Sequence, residues 1–302
     1  MSELPVGPVG FVGLGRMGDP MVRRLVAAGV AVRAHDAAPG PREALADVVT
    51  VVDKPAEVVA AGPSVVVLML PNSDIVEAVL ADGLLDALTP DTVLVDMGSS
   101  EPMRTRALAE QVAARGATMI DAPVSGGVSG ATKGTLTIMV GGPDDAVAGV
   151  EPLLALLGRV RHVGPVGAGH ALKALNNLMS AAHLLASSEA LLAGERFGLD
   201  PSVMLDAVNS SSGRSGSTEN KWPNFVVPET YDSGFALALM VKDIRIALGL
   251  AEATGAPSAL IGRTVELWGE AATALPPDAD HTEIVRWLRA GEATDPDPRS
   301  TP

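Results

Sequence analysis

The run Gly13-Leu14-Gly15-Arg16-Met17-Gly18 constrains this chain more than any other, because of what flanks it. Residues 8–12 are a short apolar stretch suited to a buried strand. Pro20 to Ala28 reads as a helix with Met21, Leu25 and Ala28 on one face, closed by Gly29. Each glycine meets a separate need. Gly13 makes a tight turn, Gly15 lets a pyrophosphate approach the backbone, and Gly18 lets helix and strand pack closely. Phosphates would rest on the N–H groups of the helix start, so Leu14, Arg16 and Met17 join the three glycines as candidate cofactor-binding residues. A second strand, 31–34, ends at His35-Asp36. Asp36 stands 18 residues past Gly18, where a carboxylate meets the adenosine ribose hydroxyls. Ala37-Ala38 follow, with no arginine to receive a 2′-phosphate, so NAD is expected over NADP.

The first half continues by alternating strand and helix signals. Strands are expected at 65–70, 92–96, 118–121 and 136–140, with helices at 75–80, 101–114 and 144–157 between and after them. That alternation predicts an α/β chain whose N-terminal part, residues 1–166, is a Rossmann-type doubly wound parallel sheet. Ligands bind such sheets at the carboxyl ends of the strands. The turns at Leu70-Pro71, Ser99 and Ser125-Gly126-Gly127 therefore belong to the same rim as Gly13.

After Gly167 no further strand is expected, and the rest reads as an all-α C-terminal domain. Residues 167–177, GAGHALKALNN, lead into a run from His170 to Phe197 that reads as one helix of about 28 residues, roughly 42 Å. A helix that long is read as an interdomain element over 167–197. Lys173 and Asn177 share one of its faces, four residues apart and among alanines and leucines. An inward-facing lysine there is costly to bury and changes its pKa readily. Asp200 and Pro201 start the next helix as N-cap and first helical residue. Residues 198–291 are read as a helical substrate and oligomerisation domain, with a loop at 210–218 and helices at 235–253, 256–272 and 282–290. The polar tail 292–302 is expected to be disordered.

Composition narrows the function classes. The chain has 302 residues and no cysteine, which excludes a disulfide framework and thiol catalysis. A net charge of −14 argues against nucleic acid or an anionic membrane as partner. A strand starting near residue 8 leaves no room for a signal peptide, and no apolar run is long enough to span a membrane. A cytoplasmic location is expected. The five histidines show no ligand-like clustering, so no metal is expected. Asp278, Asp280 and His281 read as a solvated turn and helix cap.

Four blocks resemble the β-hydroxyacid dehydrogenase family, which includes 3-hydroxyisobutyrate dehydrogenase and tartronate semialdehyde reductase. They are GFVGLGRMGDPM at 10–21, DAPVSGGVSGATKGTLTIMVGG at 121–142, GAGHALKALNN at 167–177 and KDIRIALGLA at 242–251. The resemblance covers nearly the whole chain. It implies that Lys173 is the catalytic acid/base and that Asn177 helps hold the substrate. It implies that Ser125, Gly126 and Gly127 receive a substrate carboxylate, and that Lys242 and Asp243 close over nicotinamide and substrate. Phe235 would pack near the reacting centre, and Ser99 would face the nicotinamide side of the cofactor. A homodimer or homotetramer is implied as well.

Those roles are chemically sound. A Ser-Gly-Gly turn offers a carboxylate a hydroxyl and backbone N–H groups with no Cβ in the way. Hydride transfer to an aldehyde builds negative charge on oxygen, which a lysine can stabilise and then protonate. Two other readings use the same scaffold. An imine reductase usually lacks this lysine and the intact Ser-Gly-Gly block, and a non-catalytic dinucleotide-binding module would have no use for Lys173. The motifs reach a small carboxylate with a β-hydroxyl or β-aldehyde and no further. The side chains that choose among such substrates are expected in the loop 210–221, SSSGRSGSTENK, where Ser215-Gly216 stand in place of an aromatic common in 3-hydroxyisobutyrate dehydrogenases.

Overall fold

In a computed structural model, which describes residues 8–60, 62 and 64–292, the chain divides into two compact units, one ending at Lys173 and one beginning at Ala174. The first is built on a sheet. Strands β1 (Val9–Val12), β2 (Val32–His35), β3 (Thr50–Val51), β4 (Val65–Leu68), β5 (Val93–Asp96) and β6 (Thr118–Asp121) run parallel in the order β3-β2-β1-β4-β5-β6. The order reverses between β1 and β4, the position at which a doubly wound sheet opens its ligand crevice. Beyond β6 the pattern changes. Strand β8 (Leu136–Gly141) pairs antiparallel with β6 and with the short β7 (Val124–Ser125), and parallel with β9 (Gly158–Gly164).

Side-chain alternation along the strands explains the double winding. Phe11, Val67, Val95 and Ile120 point to one face, where Met21, Val22 and Leu25 of α1 (Gly18–Ala27) cover them. Val12, Val66, Leu68, Leu94 and Met119 point to the other. There they meet Val76 of α3 (Ser73–Val79) and Leu108 and Val112 of α4 (Pro102–Ala113). Phe11, Val67, Leu68 and Leu94 are fully buried. Each such side chain contributes about 1.5–3 kcal/mol by leaving water.

The second unit is helical. The long helix α7 (Ala168–Phe197), next in the chain after α6 (Asp144–Leu154) of the first unit, begins in the first unit and continues into this one. It is followed by α8 (Pro201–Asn209), α9 (Ser217–Val226), α10 (Leu237–Thr254), α11 (Ala259–Ala274) and α12 (Ile284–Glu292). Leu184, Trp222, Ile244, Trp268, Ile284 and Val285 form its core. Trp222 gives its indole N–H to Ser188 Oγ at 3.2 Å. Among the described residues, no helix is long and apolar enough to cross a membrane.

Several elements depart from the sequence expectations. Strand β9 was not expected, because its sequence GRVRHVG carries no apolar run and most of its residues stay solvent-accessible. Helices α2 (Pro39–Leu45) and α5 (Gly127–Lys133) stand in stretches for which no helix was expected. The loop expected to 218 ends earlier, since α9 starts at Ser217 and is wound in wide turns around Pro223. Helix α10 starts at Leu237 rather than Phe235, because Ala236 is extended and bridges to Asp280. Asp278 lies in an exposed turn, as expected, but the residues after it are not solvated throughout. Asp280 does cap the following helical turn, but His281 is only 4% exposed. The tail expected to be disordered lies outside the described residues, except Glu292, which ends α12.

Candidate active site

The carboxyl ends of the parallel strands carry the residues the motifs point to. Gly13 has φ +101°, and a Cβ there would overlap the Met69 carbonyl after β4. A Cβ on Gly18 would overlap the Gly13 carbonyl, so the turn between β1 and α1 closes this tightly only with glycine at both places. Gly15 is different. Nothing lies within 4 Å of where its Cβ would stand, leaving a bare, accessible stretch of backbone at the start of α1. That is the cradle a pyrophosphate needs, so the residues present fit a bound dinucleotide. Leu14 is buried, while Arg16 is exposed and Met17 is half-buried.

Asp36 follows β2 with its carboxylate fixed. Oδ2 accepts the Leu14 N–H at 2.7 Å, and Oδ1 accepts the Ala38 N–H at 2.8 Å. Leu70 and Pro71 follow β4, and a Cβ on Gly98 after β5 would come within 2.5 Å of the Leu70 carbonyl oxygen. The turns after β4 and β5 therefore touch, and half-buried Ser99 lies in the second. Ser125, Gly126 and Gly127 follow β6 through β7. The two glycines have φ +129° and +61° and are exposed, so the turn presents its backbone to solvent.

Two acidic residues that motif reading passed over end β5 and β6. Asp96 and Asp121 are both fully buried. Asp121 binds the start of α7 across a long stretch of sequence: Oδ1 accepts the Gly167 N–H at 2.6 Å and Oδ2 the His170 N–H at 2.7 Å. It thereby satisfies donors that a helix start leaves unpaired and places negative charge at the positive end of the dipole. Asp96 accepts from Gly98 N–H at 2.9 Å and from the Ser100 hydroxyl at 2.7 Å. The buried His170 ring lies between the two acids, 3.7 Å from Asp96 and 3.8 Å from Asp121, with Thr105 Oγ1 at 2.8 Å from its Nδ1. Burial pushes the Asp121 carboxyl above the usual carboxylate range, against the opposing pull of His170 and the two N–H donors. One helical turn beyond this anchorage stands Lys173, only 8% exposed. An apolar strand ending in an acid, as VLVD and TMID do here, is the sequence signal that could have found Asp96 and Asp121.

The second unit carries the other group. Asn177 gives its side-chain N–H to Asp243 Oδ2 at 2.6 Å, and Asp243 Oδ1 pairs with the Lys242 ammonium at 2.8 Å. Asp243 is 2% exposed. Phe235 stands just before α10, its ring edge-on to His281 at 5.6 Å between centroids. Asp280 holds that corner together, accepting from the Ser233 hydroxyl, the Gly234 and Phe235 N–H groups and the Thr282 N–H and hydroxyl. Burial alone would raise its carboxyl, but hydrogen bonds from His281, Thr282 and Ser233 outweigh that and hold it far below the usual value. Among the described residues no cluster of histidine and acidic side chains could hold a metal ion.

A phosphate-cradling turn on a doubly wound sheet, followed by a helical unit, defines a dinucleotide-dependent oxidoreductase. Comparison with known proteins refines the class. Residues 8–167 match the NAD-binding domain of 6-phosphogluconate dehydrogenase, and residues 167–288 match the NAD-binding domain of NADP-dependent 3-hydroxyisobutyrate dehydrogenase. The chain is 40% identical to 2-(hydroxymethyl)glutarate dehydrogenase of Eubacterium barkeri, covering 80% of this chain and 81% of that one. It is 37% identical to 3-hydroxyisobutyrate dehydrogenase of Pseudomonas aeruginosa, over 90% and 94% of the two chains. Its fold matches that of Mycobacterium tuberculosis 3-hydroxyisobutyrate dehydrogenase, solved with L-serine. The TM-score is 0.89 at 32% identity, covering 95% of this chain and all of that one. The chain belongs to the 3-hydroxyisobutyrate dehydrogenase family and is an NAD(P)-dependent dehydrogenase of β-hydroxy acids. Imine reductases are more distant. That of Streptomyces aurantiacus, 21% identical with a TM-score of 0.62, shares the fold alone.

Proposed function

We propose that the chain oxidises a 2-substituted 3-hydroxy acid to its semialdehyde, or runs the reverse reduction, using NAD and Lys173 as acid/base. The observation that carries this reading is the burial of Lys173, a lysine 8% exposed on a helix anchored to the sheet through Asp121. A bound nicotinamide supplies or takes up the hydride. Lys173 Nζ takes the alcohol proton in oxidation and returns one to the nascent alkoxide in reduction. Asn177, its amide oriented by Asp243, hydrogen-bonds the substrate without adding charge. Ser125, Gly126 and Gly127 receive the carboxylate on hydroxyl and backbone donors. Lys242 flanks the cofactor side and Phe235 the reacting carbon.

Asp36 supports NAD. Its oxygens are held by Leu14 and Ala38, and each keeps a lone pair for a ribose hydroxyl, while a 2′-phosphate would meet a fixed negative charge. The compounds named in the relatives share a 3-hydroxypropionate core and differ only at C2, by a methyl in 3-hydroxyisobutyrate and a carboxyethyl in 2-(hydroxymethyl)glutarate. Exposed apolar side chains in the helical unit, Met179, Phe197, Val203 and Leu260, favour a homodimer or homotetramer. A cysteine-free, acidic chain suits a cytoplasmic enzyme. The test is a panel of 2-substituted 3-hydroxy acids with each cofactor, read by NADH or NADPH absorbance. Turnover of at least one such acid with NAD is expected, and none with either cofactor would overturn the reading.

A further inference from the structure

Lys221 has no part in that chemistry, yet its placement on α9 is unusual. Its ammonium lies partly buried and donates to Ser180 Oγ at 2.6 Å. Ser180 belongs to α7, three residues past Asn177 and seven past Lys173. Lys173, Asn177 and Ser180 thus follow the i, i+4, i+7 spacing that lines one helical stripe. Lys221 is therefore fastened to the same stripe, beyond Asn177.

The ammonium is also poorly neutralised. Ser180 is an uncharged partner, and a lysine ammonium carries three donors. Among the described residues no carboxylate lies within 4 Å of it; the acid that acts on it electrostatically is Asp280. Asp280 is already engaged by Ser233, Gly234, Phe235 and Thr282. Neighbouring His281 cannot serve as a counter-ion: an imidazole is neutral or cationic, and burial disfavours its cationic form. Burial likewise pulls the Lys221 ammonium down to about 8. A cation kept at such a cost, without a counter-ion, next to a substrate-holding residue is matched to an anion that arrives from outside.

We infer that Lys221, braced by Ser180, receives a second carboxylate of the substrate, so that the preferred substrate is a 3-hydroxy acid bearing a carboxylate on its C2 substituent. The inference rests on the reading of Lys173 and Asn177 as the groups that hold the reacting alcohol. The spacing is suitable. Asn177 and Ser180 are offset by about 4.5 Å along the helix axis. Four carbon–carbon bonds, the path from the carbinol carbon to the far carboxyl of 2-(hydroxymethyl)glutarate, span roughly 5 Å. Gly216, in the position where an aromatic would fill the loop, leaves room for the longer substituent. The segment 210–221, its last residues wound into α9, then sets specificity through the charge of Lys221.

The test compares kcat/KM for 2-(hydroxymethyl)glutarate and 3-hydroxyisobutyrate, with NAD, in wild type, Lys221→Met and Lys221→Arg. Wild type is expected to favour the dicarboxylate. Lys221→Met should cut the dicarboxylate-to-monocarboxylate ratio by roughly 10–100-fold, chiefly through KM, the usual worth of a charge-assisted hydrogen bond. Lys221→Arg should retain most of the preference. A purely structural lysine would lower both activities together and leave the ratio alone, which would overturn the inference. So would a wild-type preference for the monocarboxylate. If wild type oxidised neither compound, the reading of the reaction itself would fall, and this assignment with it.

Discussion

Asn177 and Asp243 are joined by a 2.6 Å hydrogen bond across 66 residues of sequence, inside the helical unit. Asp243 is buried and also holds Lys242 at 2.8 Å, so one carboxylate orients two polar side chains. In the proposed reaction, Asp243 is what keeps the Asn177 amide in one orientation toward the substrate. Asp243→Ala should therefore lower kcat/KM by about 10–100-fold, as truncation of one partner in a buried charged hydrogen bond does. Asn177→Ala should act similarly, and the double variant should be little worse than either single one. A double-mutant cycle in steady-state kinetics checks this, and strictly additive losses would separate the two residues.

Asp121 anchors the helix that carries Lys173. Asp121→Asn would point an amide donor at the N–H of either Gly167 or His170. The expected cost is about 1–3 kcal/mol, the price of a buried donor left without an acceptor. Thermal unfolding should show a lower Tm, and kcat should fall more than the affinity for NADH measured by fluorescence titration. An unchanged Tm would mean that the helix start is held by other contacts.

The dinucleotide turn was legible in the sequence because its glycines answer local steric demands. Gly13 and Gly18 have no space for a Cβ, and that requirement shows in six residues. The two-residue strands β3 and β7 were too short to leave a signal, but β1, β2, β4, β5, β6 and β8 were legible for a similar reason: mostly buried, they read as mainly apolar runs. Strand β9 was not, since its partly exposed GRVRHVG has no such run. The anchorage of α7 was hidden for another reason. His170 meets Thr105 across 65 residues, and Asp121 meets Gly167 across 46, so no local spacing marks them. Lys242-Asp243 looks like an ordinary exposed pair in sequence, and only the packing of α10 turns Asp243 inward. Asp280 read correctly as a cap, but its bonds to Ser233 and Gly234 are long-range and left no sequence trace.

Cofactor choice follows from Asp36. Wild type should show a higher kcat/KM with NAD than with NADP. Asp36→Asn keeps an acceptor for Leu14 N–H and removes the charge, so the preference should narrow by about 10-fold or more, on the order of one charge-assisted hydrogen bond. Paired measurements with the two cofactors decide the matter, and a wild-type preference for NADP would contradict the assignment.

Lys221 makes a pH prediction whose sign is fixed by the direction of its shift. Burial lowers the folded pKa to about 8, below that of the unfolded chain. Between those two values the unfolded state binds the proton first, so stability falls as pH drops through this window, and the full cost is present below about 8. Lys221→Met should remove that cost and raise Tm at neutral pH more than at pH 10 or so, near the unfolded lysine's ordinary value. Thermal scans across this range check it. A Tm that drops equally at every pH would show that the lysine stem packs but its charge carries no penalty.

The central claim is that Lys173 moves the proton. Lys173→Ala should reduce kcat by roughly 10²–10⁴, the usual worth of a positioned acid/base. NADH affinity should barely change, because the proposed cofactor contacts, the glycine turn and Asp36, are left intact. Lys173→Arg should not restore the rate, since a guanidinium keeps its proton and has a different shape. The decisive measurement is kcat of Lys173→Ala on a substrate that wild type oxidises, with NADH binding titrated on the same preparation. A large loss of kcat with intact cofactor binding is the expected result, and a variant within about threefold of wild type, far short of that loss, would remove Lys173 from the mechanism.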